Sequence, residues 1–185
     1  MANLLLDGLP ETIPVDGTEI PIETGYKHWM RLSIQLLDED TAALGVAIMS
    51  LLKVPNDVMF DLIQNHQPAL LSSIGWFLAG GDRHNGPTGK RQVFSLDKDT
   101  PYILGAFRQA FGIDLLRTAE MHWWEFLTYL EAVPDDTELK ERIKLRSIDA
   151  SKIKDKGERA RIRKAQRAIA IPQRKLTAEE MGAQL

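Results

Sequence analysis

The sequence predicts a mainly α protein: a single helical domain of about six or seven helices, a small N-terminal β-hairpin and a basic C-terminal helical arm. Three observations predict it. Apolar residues recur at three- and four-residue steps through most of the chain. Period-two alternation is confined to the residues around Asp16-Gly17. The charge is divided: Met1 to Thr137 holds 9 basic and 19 acidic residues, whereas Glu138 to Lys175 holds 14 basic and 5 acidic. The expected organisation is a helical body over 1–149, with its hairpin at 11–23, followed by a basic arm and frayed tail over 150–185.

Each element has a local reason. Ile13 and Val15, then Ile20 and Ile22, alternate with polar or proline positions, and Asp16-Gly17 between them suits a hairpin turn because glycine tolerates positive φ. Pro14 and Pro21 lack backbone donors, which keeps these strands short and at an edge. Helical spacing starts near Thr24, with Tyr26, Trp29, Met30, Ile34 and Leu37 on one face. Asp38 to Thr41 reads as a break and a new cap. Ala42 to Leu52 is apolar nearly all round and is expected to be buried. Pro55 starts a third helix carrying Val58, Met59, Leu62 and Ile63, and Pro68 ends it or opens another through Ile74, Trp76 and Phe77. Gly80 to Gly89, with four glycines, reads as a loop or hinge.

Asp99-Thr100-Pro101 combines capping side chains with a proline whose fixed φ suits a first helical turn. Ile103, Ala106, Phe107, Ala110 and Phe111 form the stripe of that helix, and Gly112 ends it. Leu116, Ala119, Trp123, Phe126, Leu127 and Leu130 then predict a helix with Trp123 in its apolar stripe. Trp124 falls about 100° further round, on the shoulder, and is the residue expected to face a partner. Pro134 to Thr137 is a turn ending in a cap, and Leu139 and Ile143 anchor a short basic helix. The arm from Asp155 to Ala170 carries too little apolar surface to be stable alone and is expected to pack in an oligomer or complex. The expected core comprises Trp29, Ile34, Leu44, Ile48, Leu62, Ile63, Phe107, Phe111, Trp123, Phe126 and Leu130.

Composition excludes several chemistries. With no cysteine among 185 residues, there is no disulfide, thiolate metal site or cysteine nucleophile, and a reducing compartment fits best. The start of the chain carries no basic leader, and its longest apolar stretch falls short of the roughly 20 residues a spanning helix needs. A soluble, cytoplasmic protein without membrane contact is expected. Gly89-Lys90-Arg91 lacks the phosphate-loop pattern: His84 stands where the first glycine belongs and Arg91 where serine or threonine belongs. His28, His66, His84 and His122 are too far apart for paired ligands on one helix, so no metal, cofactor or catalytic residue is expected. The carboxylates of Asp38 to Asp40 and of Asp135-Asp136 sit where helix caps are expected. His122 reads as a part-buried histidine satisfied by a backbone or carboxylate partner.

Besides Trp124, the candidate binding residues are Lys152, Lys154, Lys156, Arg159, Arg161, Arg163, Lys164 and Arg167, spaced around most of a helix. That pattern suits an acidic protein partner, plain solvation or nucleic-acid phosphates. The arm has no aromatic residue for base stacking, so nucleic acid is the less favoured partner.

From Asp97 onward the pattern becomes more specific. Asp97, Asp99, Tyr102-Ile103, Phe107, Phe111-Gly112-Ile113-Asp114-Leu115, His122-Trp123-Trp124, Phe126, Leu130, Asp136-Thr137, Ile143, Arg146, Asp149 and Ile153-Lys154 together resemble a family of small tail-region proteins. These come from long-tailed phages (siphophages) and prophages of Gram-positive bacteria and are encoded just before the tape measure gene. The resemblance covers about Val93 to Pro172 well and the N-terminal region more weakly. It implies a non-enzymatic tail assembly chaperone that binds the tape measure protein while the tube polymerises, with the tail tube protein as a further candidate partner. It also implies a homo-oligomer in the host cytoplasm that is absent from the finished virion. The alternatives are a minor structural tail protein retained in the virion and a nucleic-acid-binding adaptor using the basic arm.

Overall fold

The computed structural model describes residues 4–37, 41–81, 92–118 and 120–171. Among them the chain is mainly helical with one two-stranded antiparallel sheet, as expected. A short turn of helix, α1 (Leu4–Asp7), precedes strands β1 (Thr12–Val15) and β2 (Thr18–Pro21). The helices that follow are α2 (Tyr26–Gln35), α3 (Thr41–Met49), α4 (Asn56–Asn65), α5 (Gln67–Leu78), α6 (Thr100–Phe111), α7 (Trp123–Ala132), α8 (Glu138–Ser147) and α9 (Lys156–Ala168). A single 3-10 turn, Ala150–Lys152, separates the last two. Most of the loop expected at Gly80 to Gly89, the break at Asp38 to Asp40 and the tail beyond Ile171 lie outside the described residues. No described helix is long and apolar enough to cross a membrane.

The chain divides into two compact units: 1–88 with 107–133, and 89–106 with 134–185. The boundary expected at Asp149 falls inside the second unit.

In the first unit the hairpin closes as its sequence requires. Asp16 and Gly17 both take positive φ, at 46° and 82°, and Val15 pairs with Thr18 across the turn. Ile13, Val15 and Ile20 are buried on one face, while Pro14, Glu19 and Pro21 lie on the other, where proline costs no ladder bond. β1 packs on α5, and the Ser73 hydroxyl on α5 donates to the Pro14 carbonyl. Trp29 is fully buried against Phe77, with ring centroids 4.3 Å apart, and its indole N–H donates to the Glu23 carbonyl at 2.6 Å.

Three expectations for this unit need correction. α3 is not fully buried: Ala47 is the only buried residue among those described in it, most of the rest are half-buried, and Val46 is 62% exposed. α2 is its main described neighbour, and among the described residues Val46 stays exposed on the outer side. Trp29, Leu62, Phe107, Trp123 and Phe126 are buried as expected, but Ile34, Leu44, Ile48, Ile63, Phe111 and Leu130 are half-buried, and Ile13, Ile22, Leu32, Leu51, Leu70 and Phe77 join the fully buried positions. Last, no helix runs through Leu116. α6 ends at Gly112, with φ at 69°, and Asp114 then folds the chain into a turn by accepting the Leu116 N–H. Leu116 is exposed, and α7 starts only at Trp123.

The second unit is organised by a buried ion pair. Arg146 of α8 makes a two-pronged contact with Asp99 at the start of α6, at 2.7 and 2.8 Å, and both side chains are almost completely buried. Its remaining donors reach the carbonyls of Ile169 at 2.7 Å and Val93 at 3.1 Å. Asp99 also accepts the Ser95 N–H. Its carboxylate therefore turns toward α8, and the side-chain cap expected for α6 is replaced by this pairing. Gln166 of α9 is buried and donates to the carbonyls of Leu145 and Ile148, which the end of α8 would otherwise leave unpaired. The arm therefore packs within a single chain, which corrects the expectation that it needs an oligomer. Two polar anchors supply what its few apolar residues do not.

Candidate interaction surfaces

The tryptophan pair is architectural. Trp124 is 6% exposed, which removes it from the candidate partner-facing residues. Its ring lies 5.4 Å from Phe77 and 5.3 Å from Trp76, and its indole N–H donates to the Phe77 carbonyl at 2.8 Å. Trp123 donates to the next carbonyl, Leu78, at 2.9 Å. Carbonyls at a helix C-terminus have no intrahelical donor. The two adjacent indoles thus satisfy the end of α5 from the first turn of α7, which explains why they stand side by side. Gly81, with φ at 80°, sits so close to Trp124 that an added Cβ would lie 2.9 Å from the ring. The shoulder position assigned by helical angle ignored α5, which packs there.

His122 is the cap of this assembly. Its Nδ1 accepts the Trp124 N–H at 3.0 Å, and its Nε2 lies 3.0 Å from the Pro10 carbonyl. A carbonyl only accepts, so the ring carries its proton on Nε2 and is neutral. Burial holds its pKa below the usual histidine value, against the opposing pull of Glu125 and Glu11. A folded-state pKa below the unfolded one means that the unfolded chain binds more protons as the pH falls through about 6.5. The His122 contribution is therefore complete above that pH and lost below it. Melting temperature measured from about pH 8 to about pH 5 should fall more steeply for the native protein than for His122→Asn, which keeps a capping oxygen and does not titrate. Parallel curves would contradict this assignment.

The cationic candidates do not form one set. Lys152, on the 3-10 turn, faces Asp149 at 3.8 Å, and Lys154 lies exposed in the connector before α9. Arg159 is part-buried on the packed side of α9 with Ile162, Ala165 and Gln166. Lys156, Arg161, Arg163, Lys164 and Arg167 are exposed on the opposite side. The expectation of charge around most of the helix is corrected: α9 has a packing face and a cationic face. The missed contributors are Gln166, Asp99 and Arg146. The signal for Gln166 was a glutamine inside an alanine–isoleucine stripe, and Asp99 and Arg146 were opposite charges among the seven charged positions of the family pattern.

The second surface is apolar. The outer side of α3 with Val46 is exposed, as are Leu36 and Leu37 after α2, Phe60 on α4 and Leu71 on α5. Among the described residues no group of three histidine or carboxylate side chains could hold a metal ion. The described surfaces are thus a partly exposed apolar helix, α3, in one unit and a cationic helix face in the other.

A family model described as Bacteriophage Gp15 protein matches residues 5–171. Neither the curated proteins nor the solved structures yield a match. The matched span takes in every described helix except the first residue of α1, so it extends well beyond the tryptophan motif. The chain belongs to the bacteriophage Gp15 protein family.

Proposed function

We propose that this phage protein is a non-enzymatic tail assembly chaperone that binds the tape measure protein while the tail tube polymerises around it. The observation that carries the reading is α3, a helix of almost wholly apolar sequence that the described residues cover only in part, with Val46 exposed on its outer side. A helix apolar all round normally lies buried, and exposed apolar patches mark binding sites. An extended helical partner with its own apolar stripe would complete the core that α3 lacks, by the groove-and-helix mode of recognition. Val46 and its neighbours supply affinity without a deep pocket, which suits a contact that tube subunits must displace.

The test is co-expression with the tape measure protein of the same phage. Co-purification is expected, and Val46→Asp, which places a charge on the exposed side of α3, should reduce recovery at least tenfold, with an unchanged circular dichroism spectrum. Equal recovery of both proteins would remove α3 from the reading. Mass spectrometry of purified virions separates the chaperone, which leaves, from a minor structural protein, which stays.

A further inference from the structure

We propose that the cationic face of α9 docks on the acidic first unit of a second copy of this chain, so that copies associate head to tail. This surface is separate from the α3 face proposed for the tape measure protein, and the contact needs no other protein.

The first observation is the composition of the α9 face. Lys156, Arg161, Arg163, Lys164 and Arg167 are all exposed, and none makes an ion pair among the described residues. Between them lie only Gly157, Ala160 and Ala168, so the face holds no carboxylate and no aromatic ring. On a helix these five cations span about 160° of arc, and Glu158 falls outside that span. The face is held rigidly from behind: Gln166 anchors α9 to α8, and Asp155 caps its start by accepting the Glu158 N–H at 2.6 Å. A solvated tail does not require such anchoring. A preorganised charged face spends less entropy on docking.

The second observation is where the opposite charge lies. The first unit holds 6 basic and 15 acidic residues, and the second holds 17 basic and 11 acidic. An acidic cluster of the first unit joins the hairpin to α4. Asp16 and Asp61 both approach the His66 ring, at 2.6 and 3.7 Å, and Asp57 stands one turn before Asp61 on the exposed side of α4. Phe60, 57% exposed, lies between the two α4 carboxylates in sequence and adds apolar area beside them. The cationic face thus meets carboxylates spaced on a helix of similar length, to which arginine and lysine heads can pair across two helices. Duplex DNA is the weaker occupant, because the same chain carries the acidic unit that repels phosphate, and α9 has no group to read or stack a base.

The contact joins two different patches, so it is heterologous. Such contacts close into rings or continue as open rows.

The experiment uses the full chain alone, so its outcome is independent of the tape measure protein. Apparent mass is read by light scattering at tens of micromolar in about 0.1 M and about 1 M salt, where the screening length falls from about 10 Å to about 3 Å. The expected mass at low salt is at least twice that at high salt. Arg161→Glu/Lys164→Glu/Arg167→Glu should give monomers, and so should Asp57→Lys/Asp61→Lys, each with an unchanged circular dichroism spectrum. Mixing the two variants should restore association, because each reversed face then meets a complementary one. Monomers of the native chain at low salt would overturn the proposal, as would a mixture that stays monomeric. So would a chain that stays monomeric yet shifts a DNA duplex through α9 in a salt-dependent manner.

Discussion

Arg146→Ala should destabilise the second unit by about 3–5 kcal/mol, the cost of leaving a buried charge without its partner. Asp99 is 0% exposed, so the orphaned carboxylate has no access to water. The loss also frees two carbonyls, at Val93 and Ile169, that the guanidinium now satisfies. The segment before α6, helix α8 and the end of α9 are all tied through this one side chain. Hydrogen exchange should therefore show lost protection in α8 and α9 together. Arg146→Lys should recover only part of the stability, since an ammonium cannot reproduce the two-pronged geometry. All four tryptophans lie in the first unit, so fluorescence is the wrong probe and circular dichroism with urea the right one. Unchanged protection of α8 and α9 in Arg146→Ala would show that the pair is dispensable.

Trp124→Ala should cost a similar amount, about 3–5 kcal/mol, as expected when a large aromatic is removed from a closed core. The ring packs on Trp76, Phe77 and His122, and its N–H satisfies a carbonyl at the end of α5. Truncation leaves a cavity and removes one of the two donors to the Phe77 carbonyl, the other being the Gly80 N–H at 3.0 Å. Trp124→Phe should fill most of the volume and lose the hydrogen bond, for about 1–2 kcal/mol. The measurement is urea denaturation followed by circular dichroism. A folded, fully stable Trp124→Ala with weakened association would restore the tryptophan to the surface role that its helical angle suggests.

The His122 result has the same origin. A histidine before two tryptophans looks reactive when read along the chain, and its expected backbone partner is found in Pro10, more than a hundred residues away. The basic arm illustrates the opposite case. Its charge was plain in the sequence, but which cations point outward depended on Gln166, whose partners are the carbonyls at the end of α8. Without those partners, Arg159 and Arg163 are equivalent by composition; with them, Arg159 lies on the packed side and Arg163 in solvent.

Most of the helices and the hairpin turn follow from the sequence by itself, because each depends on residues within about ten positions of one another, and the division of charge is a plain count along it. Asp16-Gly17 closes its hairpin and Gly112 ends its helix through backbone φ alone. Burial and pairing were decided only in the tertiary structure. Whether α3 is covered depends on what packs against it, and an apolar sequence carries no record of an absent neighbour. Asp99 and Arg146 lie 47 positions apart and meet only when α8 folds back on the start of α6. Trp123 and Trp124 differ by one step on a helix, yet α5 ends where each indole reaches a carbonyl of its last turn, and that meeting makes both of them core.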